Sequence, residues 1–154
     1  MVLSYEAVCF DLFGTLVEDD GSPIEGARLA LDAVPETRRA IVTSCGRAFA
    51  RTLLRAAALP EPAVLVSSDD VERTKPAPDC YALAARRLSV SPGSILVIED
   101  SRHGIAAARA AGMDVIAILR GRPFSYASEA LYAVERLADI AWTRSPNGSV
   151  TVSM

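Results

Sequence analysis

The stretch Ala7-Val8-Cys9-Phe10-Asp11-Leu12-Phe13-Gly14-Thr15-Leu16 decides how the chain is read. Four apolar residues run without a break and end on a carboxylate and a glycine-containing loop. An unbroken apolar run of this length suits a parallel strand buried on both faces, because a half-exposed strand alternates apolar and polar residues. The same pattern recurs downstream. Ala40-Ile41-Val42 ends at Thr43-Ser44, Ala63-Val64-Leu65-Val66 at Ser67-Ser68-Asp69-Asp70, Ile95-Leu96-Val97-Ile98 at Glu99-Asp100, and Val115-Ile116-Ala117-Ile118 near Arg120-Gly121. Helical stretches separate these runs. Residues 47–58 place Phe49, Thr52, Leu53 and Ala56 on one face, with Arg47, Arg51 and Arg55 on a face expected to be solvated. Residues 78–88 follow Pro76-Ala77-Pro78-Asp79, a helix start, and residues 103–111 stop at Gly112, a helix end. Strand and helix alternating at this spacing predict an α/β fold with a doubly wound parallel sheet.

The composition agrees. Of 154 residues, 51% are hydrophobic and 23% charged, which is ordinary for a globular chain and excludes a disordered or collagen-like one. Residues 1–154 read as one domain, with a polar tail over 145–154 that contains a short edge strand at Val150-Thr151-Val152. A net charge of −3 argues against a nucleic-acid or anionic-membrane partner. No apolar run reaches the roughly 18 residues of a membrane span. Cys9, Cys45 and Cys80 have no metal-ligand spacing, so reduced thiols and a cytoplasmic location are expected.

Ligands of open parallel sheets bind beyond the carboxyl ends of the strands, and the polar residues of this chain gather there. Asp11 suits a carboxylate nucleophile or metal ligand, with the amides of the Gly14 loop cradling an anion. Thr43 and Ser44 offer a hydroxyl and amides to a phosphate-like oxygen, and Lys75 offers it a positive charge. Glu99 and Asp100 are adjacent on a strand, so their side chains point apart and at least one faces a hard cation such as Mg²⁺. Together these parts suit phosphoryl transfer, which depends on positioning and charge neutralisation. Among the remaining residues, His103 reads as solvated or capping, Cys45 as a small inert thiol and Trp142 as strand packing. Arg120 and Arg122 lie beyond a strand end, within reach of the site.

Four segments in order resemble the motifs of the haloacid dehalogenase superfamily. They are Phe10-Asp11-Leu12-Phe13-Gly14-Thr15-Leu16, Ile41-Val42-Thr43-Ser44, Lys75-Pro76-Ala77-Pro78-Asp79, and Val97-Ile98-Glu99-Asp100-Ser101 followed by Gly104-Ile105 and Ala110-Ala111-Gly112-Met113. The last two are most similar to the branch of sugar-phosphate phosphatases and β-phosphoglucomutases. The resemblance implies a Rossmann-like, three-layer α/β/α core. It implies a Mg²⁺-dependent phosphatase of a small phosphorylated metabolite, acting through an aspartyl-phosphate on Asp11. Thr43, Ser44, Lys75 and Gly14 would then bind phosphate, while Asp11, Asp100, Glu99 and the Phe13 carbonyl hold the metal.

Two departures shape the expectation. Phosphatases of the superfamily carry a second Asp two residues after the nucleophile, as general acid and base, and here that position is Phe13. Loss of such a group typically costs about 10²–10⁴ in rate. Helical-cap relatives insert the cap between the first two motifs, and the 27 residues at 16–42 are too few for it. The expected molecule is a core without a cap domain, its open site covered by a second copy of the chain or by a macromolecular substrate, with self-association favoured by the net charge of −3. Two other readings stand beside the phosphatase: a dehalogenase-type hydrolase, whose halide leaves without a proton, and a catalytically degenerate protein that binds a phospho-ligand or a partner.

Overall fold

The computed structural model describes residues 1–154. Its strands are β1 (Val2–Tyr5), β2 (Ala7–Phe10), β3 (Arg39–Val42), β4 (Val64–Val66), β5 (Ile95–Glu99), β6 (Asp114–Ile118), β7 (Tyr132–Val134), β8 (Ala141–Arg144) and β9 (Val150–Ser153). Its helices are α1 (Ala27–Ala33), α2 (Arg47–Ala56), α3 (Asp79–Leu88) and α4 (Arg102–Ala110). Six strands form a parallel sheet in the order β4-β3-β2-β5-β6-β7. The chain winds outward from β2 through β3 to β4, then returns to the other side of β2 and winds out through β5 to β7. The switch point therefore lies between β2 and β5, which pair from Ala7–Ile95 to Phe10–Ile98. Asp11 and Asp100 leave the sheet on either side of that crevice.

Strand alternation sorts the core. Val8, Phe10, Leu96, Ile98, Ile116 and Ile118 face one side, packed with Leu31 of α1 and Leu54 of α2. Cys9, Val97 and Val115 face the other, under Tyr81 of α3 and Ile105 of α4. Buried on both faces, these strands read as continuous apolar runs, which is why the sequence revealed them.

The two ends of the chain depart from expectation. Residues 150–153 are not an edge strand in a polar tail. They form β9, the middle of a second, antiparallel sheet ordered β1-β9-β8. Val150 and Val152 are fully buried in the same core as Phe10, and Trp142 of β8 tilts against the Phe10 ring at 5.7 Å. Residues 16–42 likewise belong to the core. Val17 bridges Pro23, and α1 buries Ala27, Ala30 and Leu31 as the crossover between β2 and β3. No cap domain stands there.

Helix α2 also differs. It buries Ala50, Leu53 and Leu54, which leaves Phe49 52% exposed rather than on the core side. Arg47 is not solvated. It donates to the Leu65 carbonyl at 2.8 Å and to Asp70 at 2.5 Å, while Arg51 pairs with Glu61.

Asp70 locks this corner. Its carboxylate also accepts from the Ser67 amide at 2.8 Å, the Ser67 hydroxyl at 3.0 Å and Arg87 at 3.4 Å. Partial burial alone would raise its pKa, but these donors outweigh it and hold the carboxyl down to about 2. A group depressed on folding contributes stability above its unfolded pKa, and that stability fades as pH falls through the folded value. Asp70→Asn is expected to cost about 2 kcal/mol at pH 7. The gap to wild type should narrow as pH falls below about 4 and close only near pH 1, below both values, in urea melts, and a gap that persists there would assign the loss to packing rather than charge.

Candidate active site

The carboxyl ends of β2, β3 and β5 and the loop before α3 converge on the ammonium of Lys75. It donates to Asp11 Oδ1 at 2.7 Å, Glu99 Oε1 at 2.6 Å and the Val42 carbonyl at 3.0 Å. Three N–H groups thus meet three acceptors. The Lys75 side chain is 5% exposed and its nitrogen lies 5.2 Å from the centre of the Tyr81 ring. Burial by itself would lower its pKa. The attraction of Asp11 and Glu99 wins and carries it well above the ordinary lysine range, so Lys75 is a fixed cation.

Glu99, expected among the metal ligands, is fully engaged elsewhere. Oε1 accepts from Lys75 and from the Tyr81 hydroxyl at 2.9 Å; Oε2 accepts from the amides of Asp100 and Ser101 at 3.0 and 3.2 Å and from the Ser101 hydroxyl at 3.3 Å. Its side chain is fully buried beneath the start of α4. There a Cβ on Gly104 would fall 1.7 Å from Oε1, so only glycine lets the helix settle on the carboxylate.

Asp11 and Asp100 instead line an open cleft of about 810 Å³ beyond the sheet, with Phe13, Gly14, Thr43, Ser44, Cys45 and Lys75. Asp11 Oδ2 accepts from the Thr15 hydroxyl at 3.2 Å. Burial raises the Asp11 pKa, Lys75 opposes the rise and Asp100 adds to it, for a value pushed up to about 6. The group remains largely ionised at pH 7. Asp100 is raised by burial and by Glu99, and Arg122 answers weakly at 3.4 Å. Gly14 has φ +80°, and a Cβ there would lie 2.2 Å from Asp100 Oδ2. The Gly14 amide, expected to cradle an anion, donates to the Val17 carbonyl instead. Its part is to let Asp100 approach.

The remaining expectations divide. Thr43 is buried at the cleft wall, its hydroxyl 3.1 Å from Cys45 Sγ and accepting from the Cys45 amide, while Ser44 is exposed beside it. Arg120 and Arg122 do reach the site. Arg120 donates to the Gly14 carbonyl and pairs with Glu18; Arg122 reaches Asp100. His103 is exposed at the rim, and the α4 cap is Ser101, which accepts from the Gly104 amide at 3.0 Å. Thr15 and Tyr81 were not anticipated as parts of the site. Tyr81 carried a signal: a tyrosine on the apolar face of a predicted helix needs a buried partner for its hydroxyl.

The donor set fits a hard dication. Asp11, Glu99 and Asp100 have oxygens within 4.8 Å of one another. Three carboxylates against Lys75 and the partly exposed Arg122 leave excess negative charge in a largely buried place, which a cation would balance.

A family model described as haloacid dehalogenase-like hydrolase matches residues 8–118. Hexitol phosphatase A of Escherichia coli K12 is 37% identical over 113 residues, which cover 73% of this chain and 52% of that one. Validoxylamine A 7'-phosphate phosphatase of Streptomyces hygroscopicus is 32% identical over 122 residues, covering 77% and 57%. The chain thus spans about half the length of these relatives. Among solved structures, a Thermotoga maritima protein provisionally named a beta-phosphoglucomutase superposes with a TM-score of 0.70 at 30% identity, covering 77% of this chain and 57% of that one. A Deinococcus radiodurans HAD family hydrolase with bound phosphate and sodium gives 0.80 at 24%, covering 88% and 93%, a likeness of fold. The six-stranded parallel sheet with its flanking helices is the Rossmann-type fold of these neighbours, and the short chain fits a form without a cap.

Gly104→Ala is expected to cost about 3 kcal/mol in urea unfolding, because the new methyl displaces the Glu99 carboxylate from its five donors. Gly93→Ala, where the methyl meets nothing within 4 Å, should stay within about 0.5 kcal/mol of wild type. Equal costs would remove the special role of Gly104.

Proposed function

The chain belongs to the haloacid dehalogenase-like hydrolases, and from that premise we propose that it is a Mg²⁺-dependent phosphatase of small phosphorylated substrates, with Asp11 as nucleophile. The observation that carries this reading is the Lys75 ammonium held between Asp11 and Glu99 at the switch point of the sheet. Lys75 orients the Asp11 carboxylate and leaves it ionised. A carboxylate oxygen of Asp11 bonds to phosphorus as the ester oxygen departs with its bonding pair. Water then attacks the aspartyl-phosphate, freeing inorganic phosphate and restoring the carboxylate. Thr43 and Ser44, lining the cleft beside Asp11, supply hydroxyls for the phosphoryl oxygens.

Asp11, Asp100 and the Phe13 carbonyl would hold Mg²⁺. When bound, the ion supplies positive charge to the phosphoryl oxygens. Glu99 positions Lys75 and the start of α4 rather than ligating. Calorimetry is expected to show Mg²⁺ binding to wild type that Asp100→Asn weakens at least tenfold. Undiminished binding in the variant would take Asp100 out of the ligand set.

The leaving oxygen needs a proton when it departs from a sugar, and Phe13 has none to give. Hydrolysis of p-nitrophenyl phosphate and acetyl phosphate is therefore expected to exceed that of hexose phosphates by about 10² or more. Phe13→Asp should narrow the gap. Equal wild-type rates on both classes would remove Phe13 as the limiting group. Halide release from 2-haloacids without any phosphate release would favour the dehalogenase-type reading.

A further inference from the structure

We propose that Phe13 and Phe49 form a ledge for an aromatic ring, so that the site is built for aryl phosphates, monoesters whose oxygen leaves from a ring. The proposal rests on the phosphatase reading above and names its substrate class.

The cleft has a polar floor and one apolar wall. Asp11, Thr43, Ser44, Lys75, Asp100 and Ser101 bring polar groups to it, whereas Phe13 and Cys45 are apolar and adjoin the side chains that would hold phosphate. The Phe49 ring continues that wall, its centroid 6.0 Å from that of Phe13 and its plane tilted by 33°. Phe49 owes nothing to the core of α2, which is made by Ala50, Leu53 and Leu54. A lone exposed phenylalanine needs no explanation, but this one extends a ring that lines the cleft. The other aromatic residue of the cleft, Tyr126, is already occupied. The guanidinium of Arg122 lies 4.2 Å and that of Arg102 4.8 Å from its ring centre. Phe13 and Phe49 carry no such partner.

The chemistry of the leaving group points the same way. Phe13, two residues after Asp11 and lining the same cleft, has no proton to give a departing oxygen. A phenol has a pKa of about 10, against about 15.7 for water, so an aryl oxide departs unprotonated where an alkoxide does not. One residue thus withholds the proton that a sugar would need and supplies the surface that a ring would use. The cleft is open, so the ring can belong to a larger molecule.

Calorimetry with two phosphonates in the presence of Mg²⁺ tests the ledge without turnover, since neither has an ester bond to break. Phenylphosphonate should bind wild type about three- to tenfold more tightly than methylphosphonate, the range of aromatic pair energies. In Phe49→Ala that ratio should fall to about one. In turnover, the KM ratio of acetyl phosphate to p-nitrophenyl phosphate should fall by a similar factor, with kcat ratios little moved. Equal phosphonate affinities in wild type, or a preference that survives Phe49→Ala, would overturn the ledge and leave the phosphatase reading intact. Binding of neither phosphonate together with no turnover would sink both. A Phe49→Ala variant that dissociates a dimer in light scattering and keeps its phenyl preference would reassign the ring to a subunit contact.

Discussion

The buried ammonium of Lys75 is the constraint on which the rest of the site depends. It joins the ends of β2, β3 and β5 through Asp11, the Val42 carbonyl and Glu99, at 2.6 to 3.0 Å. A buried ion pair contributes little net stability compared with an apolar replacement, yet removing one partner strands the other at a cost of about 3–5 kcal/mol. The triad is therefore poor as glue and effective as a jig. No member can move far without exposing an unpaired charge, so the three strand ends hold one spacing. That spacing is also what the two small residues protect. Gly104 lets α4 close over Glu99, and Gly14 lets Asp100 come within contact of the Asp11 loop.

The charge balance around this jig divides three acids into two kinds. Glu99 spends both oxygens on Lys75, Tyr81, the Ser101 hydroxyl and two amides. Asp11 and Asp100 each keep an edge on the cleft. Adjacent residues of one strand point to opposite faces, so a Glu-Asp pair at a strand end delivers one buried carboxylate and one available carboxylate. The buried one anchors the cation that orients Asp11, and the available one stands beside it. The raised value of Asp11, about 6, follows from taking a carboxylate out of water beside another acid. Lys75 keeps the rise from going further.

What the sequence made legible follows from what its signals encode. The central strands announced themselves because Ala7–Phe10 and Ile95–Ile98 are apolar throughout and buried on both faces. The small sheet did not. Its strands β1, β8 and β9 each have one open face, and β9 is central only because β1, nearly the whole chain length away, pairs with it. No local pattern carries that partnership. The same limit applies within the site. Asp11, Lys75 and Asp100 stand in recognisable segments, but the saturation of Glu99 needs Tyr81 and Ser101 placed in space before it can be counted. The misassigned face of α2 has a different cause. Phe49, Thr52, Leu53 and Ala56 and the true set Ala50, Leu53 and Leu54 share only Leu53, and their centres lie about 100° apart about the helix axis, one residue's step; taking the large Phe49 for a core residue turns the reading by that step.

Phe49 shows how a failed packing expectation turns into a functional one. An apolar residue that periodicity assigns to a core, and that the fold leaves exposed against a ring lining a charged cleft, has no core role to account for its being aromatic. Phe13 presents the complementary feature: an apolar side chain without a proton to transfer, two residues after Asp11 in a cleft lined mostly by polar groups. Each alone is explained by drift. Their rings lie 6.0 Å apart, so the two anomalies occupy one place, beside the cleft that Phe13 lines. A surface that offers a departing alkoxide no proton and a ring a contact would discriminate twice in the same direction. The selectivity that an enclosed site gains by excluding water and shaping its walls would here be gained from the chemistry of the leaving group and the face it lies on.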